Sequence, residues 1–115
     1  MSEVEGLEYQ LEQTKVLKHR REMAERLFKN PDFRALIVDG FCRDDAARFV
    51  QESGDPALSE KPGAREDCLA MAQASGHLKR YLAMQIQMGS TAERNISELE
   101  NALTEARLEE GFNHG

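Results

Sequence analysis

The sequence predicts an all-α protein, a long helical hairpin or coiled coil with a small helical knot between its two long helices. Three observations predict it. Apolar residues recur at spacings of three and four over most of the chain, and no stretch alternates with the period of two that a strand requires. The three prolines and the Gly/Ser turn signals fall near residue 31 and between 53 and 63, so long uninterrupted runs remain on either side. The composition is 40% hydrophobic and 31% charged, with 6% aromatic residues and no Trp, which leaves little apolar surface for a thick core. With 115 residues the expectation is a single helical domain, 1–115.

The first helix is expected over 2–29. Ser2 with Glu5 three positions later has the spacing of a capping box, which satisfies N–H groups that a helix start leaves open. Val4, Leu7, Leu11 and Thr14 form a narrow stripe that then slips to Leu17, Ala24, Leu27 and Phe28. Acids lead this segment and bases follow, the order that suits the helix dipole.

Asn30-Pro31 marks a boundary, since Asn caps well and Pro fits a first helical turn while pushing its predecessor out of helical conformation. Residues 31–53 then form the knot. Phe33, Leu36, Ile37, Phe41, Ala46, Phe49 and Val50 make this the densest apolar stretch and the expected local core, with Gly40 separating short helices over 31–39 and 43–53. Ser53-Gly54-Asp55-Pro56 and the residues up to Gly63 read as a turn and loop, 54–63.

A second long helix is expected over 64–110. Met71, Leu78, Leu82, Gly89, Ala92, Ile96, Leu99, Leu103 and Ala106 share one heptad frame. The frame holds across Gly89, which argues for one rod bent near 89; Gly89 followed by Ser90 and Glu93 also allows a stop and a new cap there. At ~1.5 Å per residue this helix is about 65 to 70 Å long against about 40 Å for the first. The shorter helix cannot cover the longer one. The expected leftover seam, Ile96, Leu99 and Leu103, would bind a sister chain in a homo-oligomer or a protein partner.

Lys plus Arg number 15 against 21 Asp plus Glu, a net charge of -6, so no nucleic-acid partner is expected. No apolar run is long enough to span a membrane, and Met1 to Glu5 lacks the basic and apolar regions of a signal peptide, so no membrane partner is expected and the chain is expected to remain where it is made. Cys42 and Cys68, far apart and outside any CxxC pair, read as reduced small apolar residues.

The candidate chemistry is thin. His19, His77 and His114 have no carboxylate or thiol at ligand spacing, so no metal is expected. Phe41-Cys42-Arg43-Asp44 lacks the Gly-rich backbone of an oxyanion site, and Gly89-Ser90-Thr91 lacks the Lys and strand of a phosphate loop. Asp44, Asp45, Glu66 and Asp67 are explained as acids at helix starts. Lys18-His19-Arg20-Arg21 reads as a solvated face, and Glu98, Glu100, Glu105, Glu109 and Glu110 make the last quarter acidic. Neither an enzyme nor a cofactor is expected.

The run Leu27 to Phe33, then Val38-Asp39-Gly40-Phe41, Asp44-Asp45-Ala46-Ala47-Arg48 and, after the loop, Gly76-His77-Leu78-Lys79-Arg80-Tyr81-Leu82 resembles small helical proteins that tailed bacteriophages encode near their head and packaging genes. The likeness covers residues 27–106 loosely. It implies a non-enzymatic virion or head-morphogenesis protein that contacts a capsid, portal or tail component, located in the virion or in the cytoplasm of the infected host. The alternative is a small acidic phage product that binds and inhibits a host enzyme such as RNA polymerase or a defence nuclease through its acidic last quarter.

Overall fold

The computed structural model describes residues 2–114, with side chains over 2–111. It is all-α: α1 spans Glu3–Lys29, α2 Pro31–Phe33, α3 Ala46–Ser53 and α4 Ala64–His114, with a π-helical stretch at Arg34–Asp45 and a 3-10 turn at Pro56–Glu60. No strand occurs among the described residues. The chain divides into two compact units, 1–24 with 85–115, and 25–84.

In the first unit α1 up to Ala24 and the second half of α4 run antiparallel. Glu8 pairs with Arg107 at 3.1 Å and Arg21 with Glu93 at 2.6 Å, so rising numbers on one helix meet falling numbers on the other. The Ser2 hydroxyl accepts the Glu5 N–H at 3.1 Å and starts α1 where the capping spacing places it. The core between the helices is thin: Leu11, Ala24, Ala92, Leu103 and Ala106 are buried, three of the five being alanines. Small side chains let the two backbones approach closely, and burial of each Leu stabilises by about 2 kcal/mol.

Gly89 belongs to this close approach. A Cβ there would lie 2.2 Å from the Cβ of Arg21. Ser90 is no cap, because its hydroxyl donates to the carbonyl of Ile86 at 2.9 Å inside a helix that continues to His114. The stop and new cap that the sequence allows at Gly89 do not occur: Gly is required there by a neighbouring helix and not by a helix end.

The heptad frame is visible in the burial of α4. Leu82, Gly89, Ala92, Leu103 and Ala106 are buried, and Leu78, Ile96 and Leu99 are half-buried, while Met71 at the start of the frame is exposed. The frame also passes through Ser75, which is buried with its hydroxyl donating to Ala72 O at 2.6 Å.

In the second unit, Asn30 Oδ1 accepts the Phe33 N–H at 3.0 Å with Pro31 in the first turn, and Phe28 meets Phe33 edge-on at 5.9 Å across the corner. Replacing this cap by Asn30→Ala should cost about 1 kcal/mol, measured as a lower denaturant midpoint at unchanged m-value.

The separation of two short helices at Gly40 is not observed. Pro31–Phe33, Arg34–Asp45 and Ala46–Ser53 follow one another without a non-helical residue, and the middle stretch widens into i→i−5 bonding, as in the Ala46 N–H donating to Phe41 O. Gly40 fits this widening and not a break, since a Cβ there would meet the carbonyl oxygen of Ala35 at 2.9 Å.

The knot lies antiparallel to the start of α4, with Cys42 Sγ 3.6 Å from Ser75 O and Cys68 Sγ 3.9 Å from Glu52 Oε2. It is not an enclosed core. Phe33, Phe41 and Phe49 are half-buried, and Leu36 and Val50 are exposed at 71% and 54%. A unit of this size has too few layers to surround its aromatic rings. The loop expected over 54–63 contains the 3-10 turn, opened by Asp55 accepting the Ala57 N–H, and ends at Gly63, whose φ of 79° favours glycine.

Candidate interaction surface

A pair of antiparallel helices has two flanks, and those of the first unit differ in chemistry. One groove, of about 510 Å³, is lined by Glu8, Glu12 and Lys15 from α1 and by Glu100 and Arg107 from α4, over Leu11 and Leu103. The pairs Glu8 with Arg107 and Arg21 with Glu93 lie along this edge, since Glu93, Glu100 and Arg107 are seven residues apart. The pairs are surface pairs and each contributes within about 1 kcal/mol.

The opposite flank carries two consecutive grooves of about 630 and 340 Å³ that share Thr14 and Asn95. Glu98 is their only charged lining residue. The rest are amides, hydroxyls and apolar groups, among them Gln13, Thr91, Leu17 and Met88. Tyr9 at 61% exposure borders this flank, and Val16 at 50% and Met23 at 41% follow it at intervals of seven along α1. Residues seven apart share a helix face, so these three form a second apolar stripe, about 160° around α1 from Leu11 and so facing away from α4. Sequence reasoning missed them, although the interval of seven was there to find.

The expected leftover seam is placed differently. Leu103 is 5% exposed and already buried within the chain over the charged groove. Leu99 is half-buried and lines the uncharged flank, and Ile96 is half-buried. The residues do not lie beyond the reach of α1, because α1 up to Ala24 pairs with the C-terminal half of α4. The excess length of α4 falls at its beginning, where residues 64–84 lie in the second unit with the knot.

The remaining candidates have ordinary partners or none that suggest chemistry. Arg21 leaves the basic cluster to pair with Glu93, while His19 and Arg20 are exposed. Asp44 and Asp39 pair with Arg43, and Asp45 and Glu52 with Arg48, which also sits 4.7 Å over the Phe49 ring. The Arg43 guanidinium is held above its ordinary pKa by its hydrogen bond to Asp44 and then by the charges of Asp44 and Asp39. Arg48 is raised first by its hydrogen bond to Glu52 and then by that carboxylate's charge. Both are cationic throughout the physiological range either way.

Glu66 and Asp67 stand in the first turn of α4. Cys42 and Cys68 are free thiols, half-buried. No group of three potential metal ligands occurs among the described residues; the side chain of His114 lies outside them. No helix among the described residues is long and apolar enough to cross a membrane. No protein-family model, curated protein or solved structure matches the chain.

Proposed function

We propose that the protein is a non-enzymatic bacteriophage structural or assembly protein that contacts capsid, portal or tail components through helical packing. The observation that carries the packing part is the second apolar stripe of α1, in which Tyr9, Val16 and Met23 are exposed at heptad spacing, with Tyr9 also lining a groove whose one charged lining residue is Glu98. Such a surface matches another helix in shape and period, whereas a small-molecule site would converge polar groups in an enclosed pocket. The phage setting rests on the resemblance of residues 27–106.

The test is mass spectrometry of purified particles, with the chain counted against the major capsid protein. A fixed stoichiometric presence is expected of a structural component. Absence from finished particles, with no association with capsid, portal or tail proteins in infected cells, would reject the reading.

The alternative is the small acidic phage protein that inhibits a host enzyme. Glu98, Glu100, Glu105, Glu109 and Glu110 are all exposed, as a charge-based contact requires. Under that reading, neutralising Glu98, Glu105 and Glu109 to Gln abolishes capture of the host target; undiminished capture rejects it.

A further inference from the structure

We infer that the face of α1 turned away from α4 is a self-association surface, on which the same face of a second copy of this chain packs antiparallel. Tyr9, Val16 and Met23 run along the middle of this face at intervals of seven, and all three are exposed. Residues three and four positions away flank such a stripe on its two sides. One side carries Glu5, Glu12, His19 and Arg26, and the other Gly6, Gln13, Arg20 and Leu27, all exposed except the half-buried Gly6. Glu3, Glu8, Lys15 and Glu22 stand roughly 100° to either side of the stripe, outside the contact.

The charges on this face are sorted along the helix. Glu5 and Glu12 precede Val16, whereas His19, Arg20 and Arg26 follow it. That order selects both the occupant and its direction. About a two-fold axis at Val16, Tyr9 of each copy meets Met23 of the other, and the two Val16 side chains meet on the axis. Residues on the same side of the stripe then face one another, so Glu5 of one copy opposes Arg26 of the other, Glu12 opposes His19, and Gln13 opposes Arg20, each twice. A parallel pair would instead set Glu5, Glu12, Arg20 and Arg26 each against itself. Each copy carries -6 in total, so copies can meet only on a face whose own charges offset one another, and on this one two glutamates are matched by two arginines. The contact is a single pair of helices, at the small and weak end of interfaces, with a dissociation constant expected at roughly 10 to 100 µM.

The inference rests on the helix-packing half of the proposed function, to whose exposed stripe it assigns a partner, and not on its phage half. A chain absent from particles can still dimerise, and a monomeric chain found in particles overturns the dimer alone.

The experiment is sedimentation equilibrium on the full chain and on two charge-reversed variants, alone and mixed. The expected wild-type species has twice the 13.0 kDa chain mass. Glu5→Lys with Glu12→Lys makes the face wholly basic, Arg20→Glu with Arg26→Glu makes it wholly acidic, and each variant alone should dimerise about 10-fold or more weakly than wild type. An equimolar mixture of the two should recover the dimer, because a basic face then meets an acidic one. Val16→Glu, which sets two carboxylates against each other on the axis, should leave a monomer at ~100 µM. Helicity by circular dichroism should be unchanged in every variant, since all five positions are exposed. A wild type that is monomeric at ~300 µM, variants that dimerise alone as tightly as wild type, a mixture no tighter than its components, or a dimer indifferent to Val16→Glu would overturn the inference.

Discussion

Gly89→Ala should destabilise the first unit by about 2 kcal/mol, although Ala is the better helix former by roughly 1 kcal/mol. The new methyl would stand 2.2 Å from the Cβ of Arg21, against an ordinary carbon contact of about 3.5 to 4.0 Å. Neither carbon belongs to a flexible chain end, so the two backbones must move apart. That separation would loosen the neighbouring buried alanines, Ala24 and Ala92, whose contacts depend on close approach. Thermal unfolding followed by circular dichroism should shift down by roughly 10 °C. Arg21→Ala should not rescue the variant, because it retains the Cβ, whereas Arg21→Gly should restore part of the loss. A raised melting temperature for Gly89→Ala alone would mean that the helices do not meet at this level.

Leu103→Glu should be more damaging, at about 3 kcal/mol or more. It exchanges a 5% exposed apolar side chain for a carboxylate that must either remain buried or face Glu8, Glu12 and Glu100 around the same groove. The expected signature is a loss of helicity together with rapid hydrogen exchange across 85–111, and it should appear at protein concentrations too low for any self-association. Full helicity in the dilute variant would place Leu103 outside the chain's own core. For the same reason Leu103→Glu is a poor probe of assembly. Substitutions at exposed Tyr9 and Val16 separate association from folding, and those at Leu103 do not.

Much of the local structure was legible. Ser2 with Glu5, Asn30 with Pro31 and Asp55 with Pro56 mark helix or turn starts because a cap is a contact between residues two or three positions apart, complete within a few residues of sequence. The frame through Leu82, Gly89, Ala92, Leu103 and Ala106 was legible because burial on a helix repeats with the heptad. Gly40 was misleading for a local reason. A glycine in a helical run reads as a break, but this one permits the Ala35 carbonyl to lie close in a widened turn.

The surface was less legible than the elements. Ile96, Leu99 and Leu103 read as uncovered because comparing helix lengths says how much of α4 exceeds α1, and not at which end the excess lies. Tyr9, Val16 and Met23 passed unnoticed because a second stripe on α1 becomes visible only once the first is known to be used.

By itself the sequence determined that the chain is helical, where its helices start, and which face of α4 is buried. These properties depend on backbone capping and on a period of 3.5 residues, both of which act over one or two turns. Only the tertiary structure decided that α1 covers the far end of α4, that Gly89 serves Arg21, and that the pairs Glu8 with Arg107 and Arg21 with Glu93 lie along one edge of the seam. Those depend on register between segments some 70 to 100 residues apart, as in the pairs Arg21 with Glu93 and Glu8 with Arg107. A register of that kind is chosen by the sum of many small contacts along both helices, and no short stretch of either helix contains it.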